Sequence, residues 1–248
     1  MTTETTRTSE EYLDYLTGIV RNYTLTEILK ETSIMVLPRM SRSLPLGIAQ
    51  LLTKAIVDPE LAQQLTKVYI SKFERSVSLD EFQLAWIEIL ICRDVQVFDY
   101  YLSRMLTKVF TQRREVLKGL DYSIKISDLL ECADINEAIL RASEKKIHDL
   151  GYLGLSDIVQ YLKSNFKMKI DTTSEEFRNA CEMFEIRNIL VHNGGYVSAK
   201  FLAKTQRSEF KFGDKFPLTE ESAVKMGTNL TNLALRLDQE FMSHFKLT

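Results

Sequence analysis

Apolar residues recur every three to four positions through most of this chain, and the runs that carry them begin at recognisable helix starts. Thr24-Leu25-Thr26-Glu27, Ser78-Leu79-Asp80-Glu81 and Thr173-Ser174-Glu175-Glu176 each fit the S/T-x-x-E capping box, in which hydroxyl and carboxylate satisfy the backbone N–H groups left over at a helix start. Asp58-Pro59-Glu60 adds a cap followed by proline at the first helical position. These signals predict helices over about 9–22, 25–37, 44–56 and 59–75. A long helix is expected over about 79–118, with Phe82, Trp86, Ile89, Phe98, Leu102, Met105 and Val109 at helical spacing and Gly119 at its end. Further helices are expected over about 127–149 and 156–166, separated by Gly151-Tyr152-Leu153-Gly154, and then over about 174–192 and 220–245. The last carries Val224, Leu230, Leu233, Leu237 and Phe241 on one stripe. Only Glu209–Phe216 alternates polar and aromatic residues, around Gly213-Asp214, which predicts a small β-hairpin near the C-terminus.

Composition strengthens the all-α reading. The 248 residues contain 9 Gly and 4 Pro, far below the usual roughly 7% and 5%, so little of the chain is available for tight turns. Sandwiches, propellers and glycine-loop nucleotide folds are disfavoured. A boundary near 76–78 divides an N-terminal helical region, 1–77, from a helical domain, 78–248.

Charge and rare residues narrow the chemistry. With 32 basic and 34 acidic residues the net charge is −2, so no overall field draws nucleic acid or an anionic membrane, and a polyanion must be recognised locally. Cys92, Cys132 and Cys181 have neither disulfide nor zinc spacing, and His148, His192 and His244 are too few for a metal cluster, so no metal and no cofactor are expected. The polar start MTTETTRTSEE has no signal-peptide core and no apolar run reaches membrane-spanning length, which points to the cytoplasm. Phosphate loops, the G-x-S-x-G elbow, H-E-x-x-H and a D-x-D pair are all missing.

One segment carries chemistry: Glu185-Ile186-Arg187-Asn188-Ile189-Leu190-Val191-His192-Asn193-Gly194-Gly195, at a helix end. Gly194 is expected at the left-handed C′ cap. Arg187 shares a face with Phe184 and Val191, so its charge emerges beside an apolar stripe, where burial is costly without an anionic partner. Arg187 and His192 lie about 140° apart on an ideal helix. For the two to act together, either the helix loosens before Gly194 or the missing groups come from a second copy. Glu185 is expected to be exposed, or else paired with an arginine.

The segment resembles the R-x4-6-H signature of the HEPN superfamily, in its R-N-x-x-x-H form, through Arg187, Asn188 and His192. The tail, R-N-x-x-V-H-N-x-G followed by a short helix, a glycine-containing hairpin and a terminal amphipathic helix, is similar to a group of bacterial HEPN proteins. The resemblance covers 78–248. It implies a homodimer of helical bundles whose motif helices meet in a composite, metal-independent endoribonuclease site, in a toxin–antitoxin or phage-defence setting with a separate antitoxin or regulator. Arg187 and His192 are then catalytic and Asn188 supports them by holding the phosphate or orienting His192. A histidine suits proton transfer to and from an RNA 2′-hydroxyl, and the arginine fork suits the charge gathering on phosphate. The alternatives are a non-catalytic HEPN-like module that binds a protein or nucleotide, and a purely structural α-helical protein unrelated to HEPN, which an exposed His192 remote from any cleft or twofold interface would favour.

Between Tyr196 and Phe216, Lys200, Lys204, Arg207, Lys211 and Lys215 are interleaved with Tyr196, Phe201, Phe210 and Phe212. Such a pattern can track single-stranded RNA, with Lys200, Lys204 and Arg207 as the first candidates, or it can be a solvated face whose aromatics enter the core. Lys163, Lys167 and Lys169 form a second basic run.

Overall fold

Helix follows helix in the computed structural model, which describes residues 8–40, 60, 63–64, 67, 79–119, 131–151 and 153–247. In chain order they are α1 (Glu10–Met40), α2 (Leu79–Gln112), a 3₁₀ segment (Arg114–Gly119), α3 (Ile135–Gly151), α4 (Leu155–Phe166), α5 (Glu175–Asn193), α6 (Ala199–Thr205) and α7 (Glu220–Phe245). Among the described residues there is no strand, and no helix is long and apolar enough to cross a membrane.

Several boundaries differ from expectation. α1 runs unbroken through Thr24–Glu27, because a capping box matters only to amides without partners, and inside a helix those amides already bond to carbonyls one turn back. α2 stops at Gln112, short of Gly119. There the Arg113 guanidinium turns to the end of α7, donating from Nη2 to the Lys246 carbonyl at 2.8 Å. The start of α5 is displaced by one residue: Thr173 bonds to Asp171 instead, and Ser174 accepts from the Phe177 amide as the N-cap. Of the expected helices at 44–56 and 59–75, only Glu60, Gln63, Gln64 and Lys67 fall within the described residues, and all four are helical. Residue 127 also lies outside them, but the helix expected from there begins only at Ile135: residues 131–134 are not helical, and Asp134 accepts from the Asn136 and Glu137 amides at the start of α3.

The chain divides into two compact units, Met1–Asn22 with Leu90–Thr248, and Tyr23–Ile89. The motif lies in the first. Its core forms where α5 packs against α7, with Met183, Phe184 and Ile186 buried on one helix and Leu230, Leu233, Leu237 and Phe241 on the other. A chain of rings extends this core, Tyr15 to Tyr101 to Phe98 to Phe184, with neighbouring centroids 5.6, 6.0 and 5.8 Å apart. The predicted stripe of α2 is buried at Phe98, Leu102, Met105 and Val109, whereas Ile89 is exposed, as is Val224 at the start of α7.

The start of α1 is pinned to α7. Ser9 donates from its backbone amide to Asp238 Oδ2 at 3.0 Å and from its hydroxyl to Oδ1, while the same hydroxyl accepts from the Tyr12 amide and so caps the helix. These bonds satisfy a carboxylate that is wholly buried, which would otherwise be costly.

The Glu209–Phe216 segment does not pair with itself as a hairpin. It closes a tight turn, with the Asp214 amide donating to the Lys211 carbonyl at 3.1 Å, and pairs instead with the backbone that leaves α5. Val197 donates to Asp214, Gly213 to Val197 and Phe216 to Gly195, at 2.8, 3.0 and 2.9 Å, setting Tyr196 opposite Lys215 in an antiparallel bridge.

Candidate functional site

The motif helix keeps its form to the end. α5 is helical through Asn193, Gly194 takes the left-handed conformation (φ 60°, ψ 28°), and the Gly194 and Gly195 amides both donate to the Ile189 carbonyl. The expected glycine cap is present, and the helix does not loosen before it. Lys215 completes the end by donating from Nζ to the Gly194 carbonyl at 2.6 Å, a cation where the helix dipole is negative.

Arg187 has an anionic partner inside the fold. Its Nη2 lies 3.1 Å from Oδ2 of Asp99 on α2, and its guanidinium carbon lies 5.9 Å from the centre of the Phe184 ring. Burial pushes the Asp99 carboxyl up to about 6 even though Arg187 acts the other way. Sequence reasoning missed Asp99. The signal was there: a lone charge between Val95-Phe98 and Leu102, the pattern that made Arg187 conspicuous.

Glu185, expected at the surface or beside an arginine, is buried and paired with a lysine. Lys204 of α6 donates to its Oε1 at 2.9 Å and also lies 3.9 Å from Asp157 on α4. Asn188 Nδ2 faces Glu185 Oε2 at 3.4 Å. A carboxylate only accepts, so the amide nitrogen must be the end that faces it, leaving the Asn188 oxygen as the end available to a ligand. Cys181, one turn earlier, is pushed up to about 12 by burial, with the Glu185 charge adding to the effect, so the thiolate is disfavoured there.

These groups edge a cleft of about 690 Å³, lined among others by Arg187, Asn188, His192, Ser198, Lys200 and Lys204. Arg187 and His192 flank Asn188 on the helix, so a cleft broad enough to span that arc reaches both from one chain. His192 is exposed at its mouth. On the far side of the Lys204–Glu185–Asp157 cluster a second cleft, of about 740 Å³, is lined by Cys181, Glu182 and Arg207 among others. The ion cluster is the wall between the two.

The three basic candidates differ in state. Arg207 is held by Glu182 and Glu209, both at 2.6 Å, and Lys204 by Glu185, whereas Lys200 is exposed with no ion pair among the described residues. Lys163 donates to Thr172 and Lys167 to the Ser164 carbonyl, and with Lys169 they lie outside the lining of the His192 cleft. No protein-family model, no curated protein and no solved structure matches this chain, so the geometry of this cleft carries the functional reading.

Proposed function

We propose that the chain is a metal-independent endoribonuclease of HEPN type, acting in the cytoplasm as a homodimer within a toxin–antitoxin or phage-defence system. The observation that supports it is the convergence of Arg187, Asn188 and His192 on one cleft with Lys200, which has no ion pair among the described residues. His192 takes the proton from an RNA 2′-hydroxyl and a histidine returns one to the leaving 5′-oxygen. Arg187 stabilises the charge that gathers on the phosphate. Asn188, with its oxygen outward, suits orienting the hydroxyl or an imidazole N–H better than holding phosphate, since its nitrogen already faces a carboxylate. A second motif helix would supply the second histidine, and a nuclease of this kind calls for a separate restraining protein.

The test incubates the parent protein and His192→Ala with RNA in EDTA. Loss of intact RNA with the parent alone is expected; equal RNA survival with both, under conditions where the parent is dimeric, would sink the proposal. The Arg187–Asp99 pair favours a second reading, a non-catalytic module whose arginine serves packing. On that reading Arg187→Ala and Asp99→Ala destabilise the fold alike and no RNA is cut.

A further inference from the structure

The aromatic residues between Tyr196 and Phe216 fall into two groups. Phe201 and Phe216 are buried, edge to face at 5.5 Å, and Phe210 leans on Phe216 at 5.1 Å. Tyr196 and Phe212 point outward, 53% and 75% exposed.

Their exposure is built in. In the extended stretch that leaves α5, Val197 is buried, so alternation places Tyr196 and Ser198 together on the other side, and Ser198 lines the His192 cleft. Phe212 occupies the second position of the Lys211–Asp214 turn, followed by Gly213 at φ 87°, which lets the turn close. The turn is held by the Asp214 carboxylate, which accepts from the Lys211 amide at 2.7 Å, and by its pairing with Val197. A position where proline is common therefore presents an aromatic ring to solvent.

The surroundings are cationic. Lys215 Nζ lies 5.3 Å from the centre of the Tyr196 ring, and Lys200 and Lys211 are exposed with no ion pair among the described residues. Rings that accept bases beside cations that accept phosphates are what an unpaired nucleic-acid strand needs. A duplex keeps its bases stacked on each other and offers none to the protein.

We infer that Tyr196 and Phe212 form a stacking platform for unpaired nucleotides next to the His192 cleft. The inference rests on the ribonuclease reading and adds to it a binding surface outside the cleft. Stacking of about 1–3 kcal/mol per base corresponds to roughly 5- to 150-fold in affinity for each ring.

The experiment uses the full chain. Binding is read by fluorescence anisotropy of a labelled 2′-O-methyl oligonucleotide, single-stranded or annealed to its complement, and KM and kcat are read on the matching cleavable RNA. Tyr196→Ala and Phe212→Ala are expected to weaken single-strand binding and raise KM about ten-fold each, with kcat within about two-fold. Tyr196→Phe is expected to behave as the parent, because the ring is what stacks. Unchanged KM and affinity in both alanine variants, or equal affinity of the parent for the duplex, overturns the inference while leaving the ribonuclease reading in place. Binding that depends on both rings without any cleavage supports the platform and removes the nuclease. Neither binding nor cleavage by the parent overturns both, and a variant that shifts the sedimentation of the protein without changing RNA affinity shows that the rings dock a second copy.

Discussion

Asp99 and Arg187 hold each other across α2 and α5 at 3.1 Å, and burial pushes the Asp99 carboxyl up to about 6. As pH falls through that value Asp99 takes a proton and Arg187 loses its counter-charge. Affinity for non-cleavable RNA is therefore expected to rise several-fold between pH 7.5 and 5. Asp99→Asn should bind at the higher level throughout and lose that part of the step. An Asp99→Asn profile that matches the parent would show that the pair does not control phosphate binding.

Asp94, fully buried on α2, accepts from Asn22 Nδ2 at 3.0 Å, and its second oxygen has no partner among the described residues. Burial raises it to about 7 from 3.8. The folded state thus prefers the protonated acid: its contribution to stability is full below about pH 4 and is lost as pH rises through 7. Asp94→Asn keeps the acceptor for Asn22 and removes that loss. Urea unfolding should find it about 2–4 kcal/mol more stable than the parent at pH 8 and nearly equal at pH 4.

Lys200 and Lys204 should part company on substitution. Lys204→Ala strips the buried Glu185 of its cation and is expected to cost about 1–3 kcal/mol in unfolding free energy. Lys200→Ala, on an exposed side chain with no ion pair among the described residues, should change stability by less than about 0.5 kcal/mol while weakening RNA binding several-fold. The reverse pattern would place the phosphate contact at Lys204.

Glycine substitutions test the end of α5. At Gly195, φ is 81° and an added Cβ would lie 2.7 Å from Lys215 Nζ and 3.4 Å from Leu190 Cδ2. Gly195→Ala should cost about 1–2 kcal/mol of thermal stability through backbone strain and displacement of that lysine. Gly151→Ala meets no atom within 4 Å and is expected to be neutral or stabilising by up to about 1 kcal/mol.

What the sequence made legible follows its local signals. The all-α class, the Gly194 cap and the buried stripe of α2 depend on spacing and propensity, which neighbouring residues settle among themselves. The continuation of α1 through Thr24 was hidden because a capping box and an interior helical turn can carry the same residues. The pairing of Gly213–Phe216 with Gly195–Val197 was hidden because alternation marks a strand but does not name its partner. Arg187, Asn188 and His192 were legible as one segment at a helix end, and all three line one cleft. Asp99 and the pairing of Glu185 with Lys204 were not legible, since each joins helices far apart in the chain.

The backbone pairing beyond Gly194 bears on how His192 moves. A helix C-terminus is ordinarily the first part of a fold to fray, opening and closing without disturbing the rest. Here the chain leaving α5 is bonded to the segment entering α7, so its last turn unwinds only when the loop between them opens too. Local fraying becomes a larger, rarer opening, and the histidine keeps its place through the small fluctuations that would otherwise scatter it.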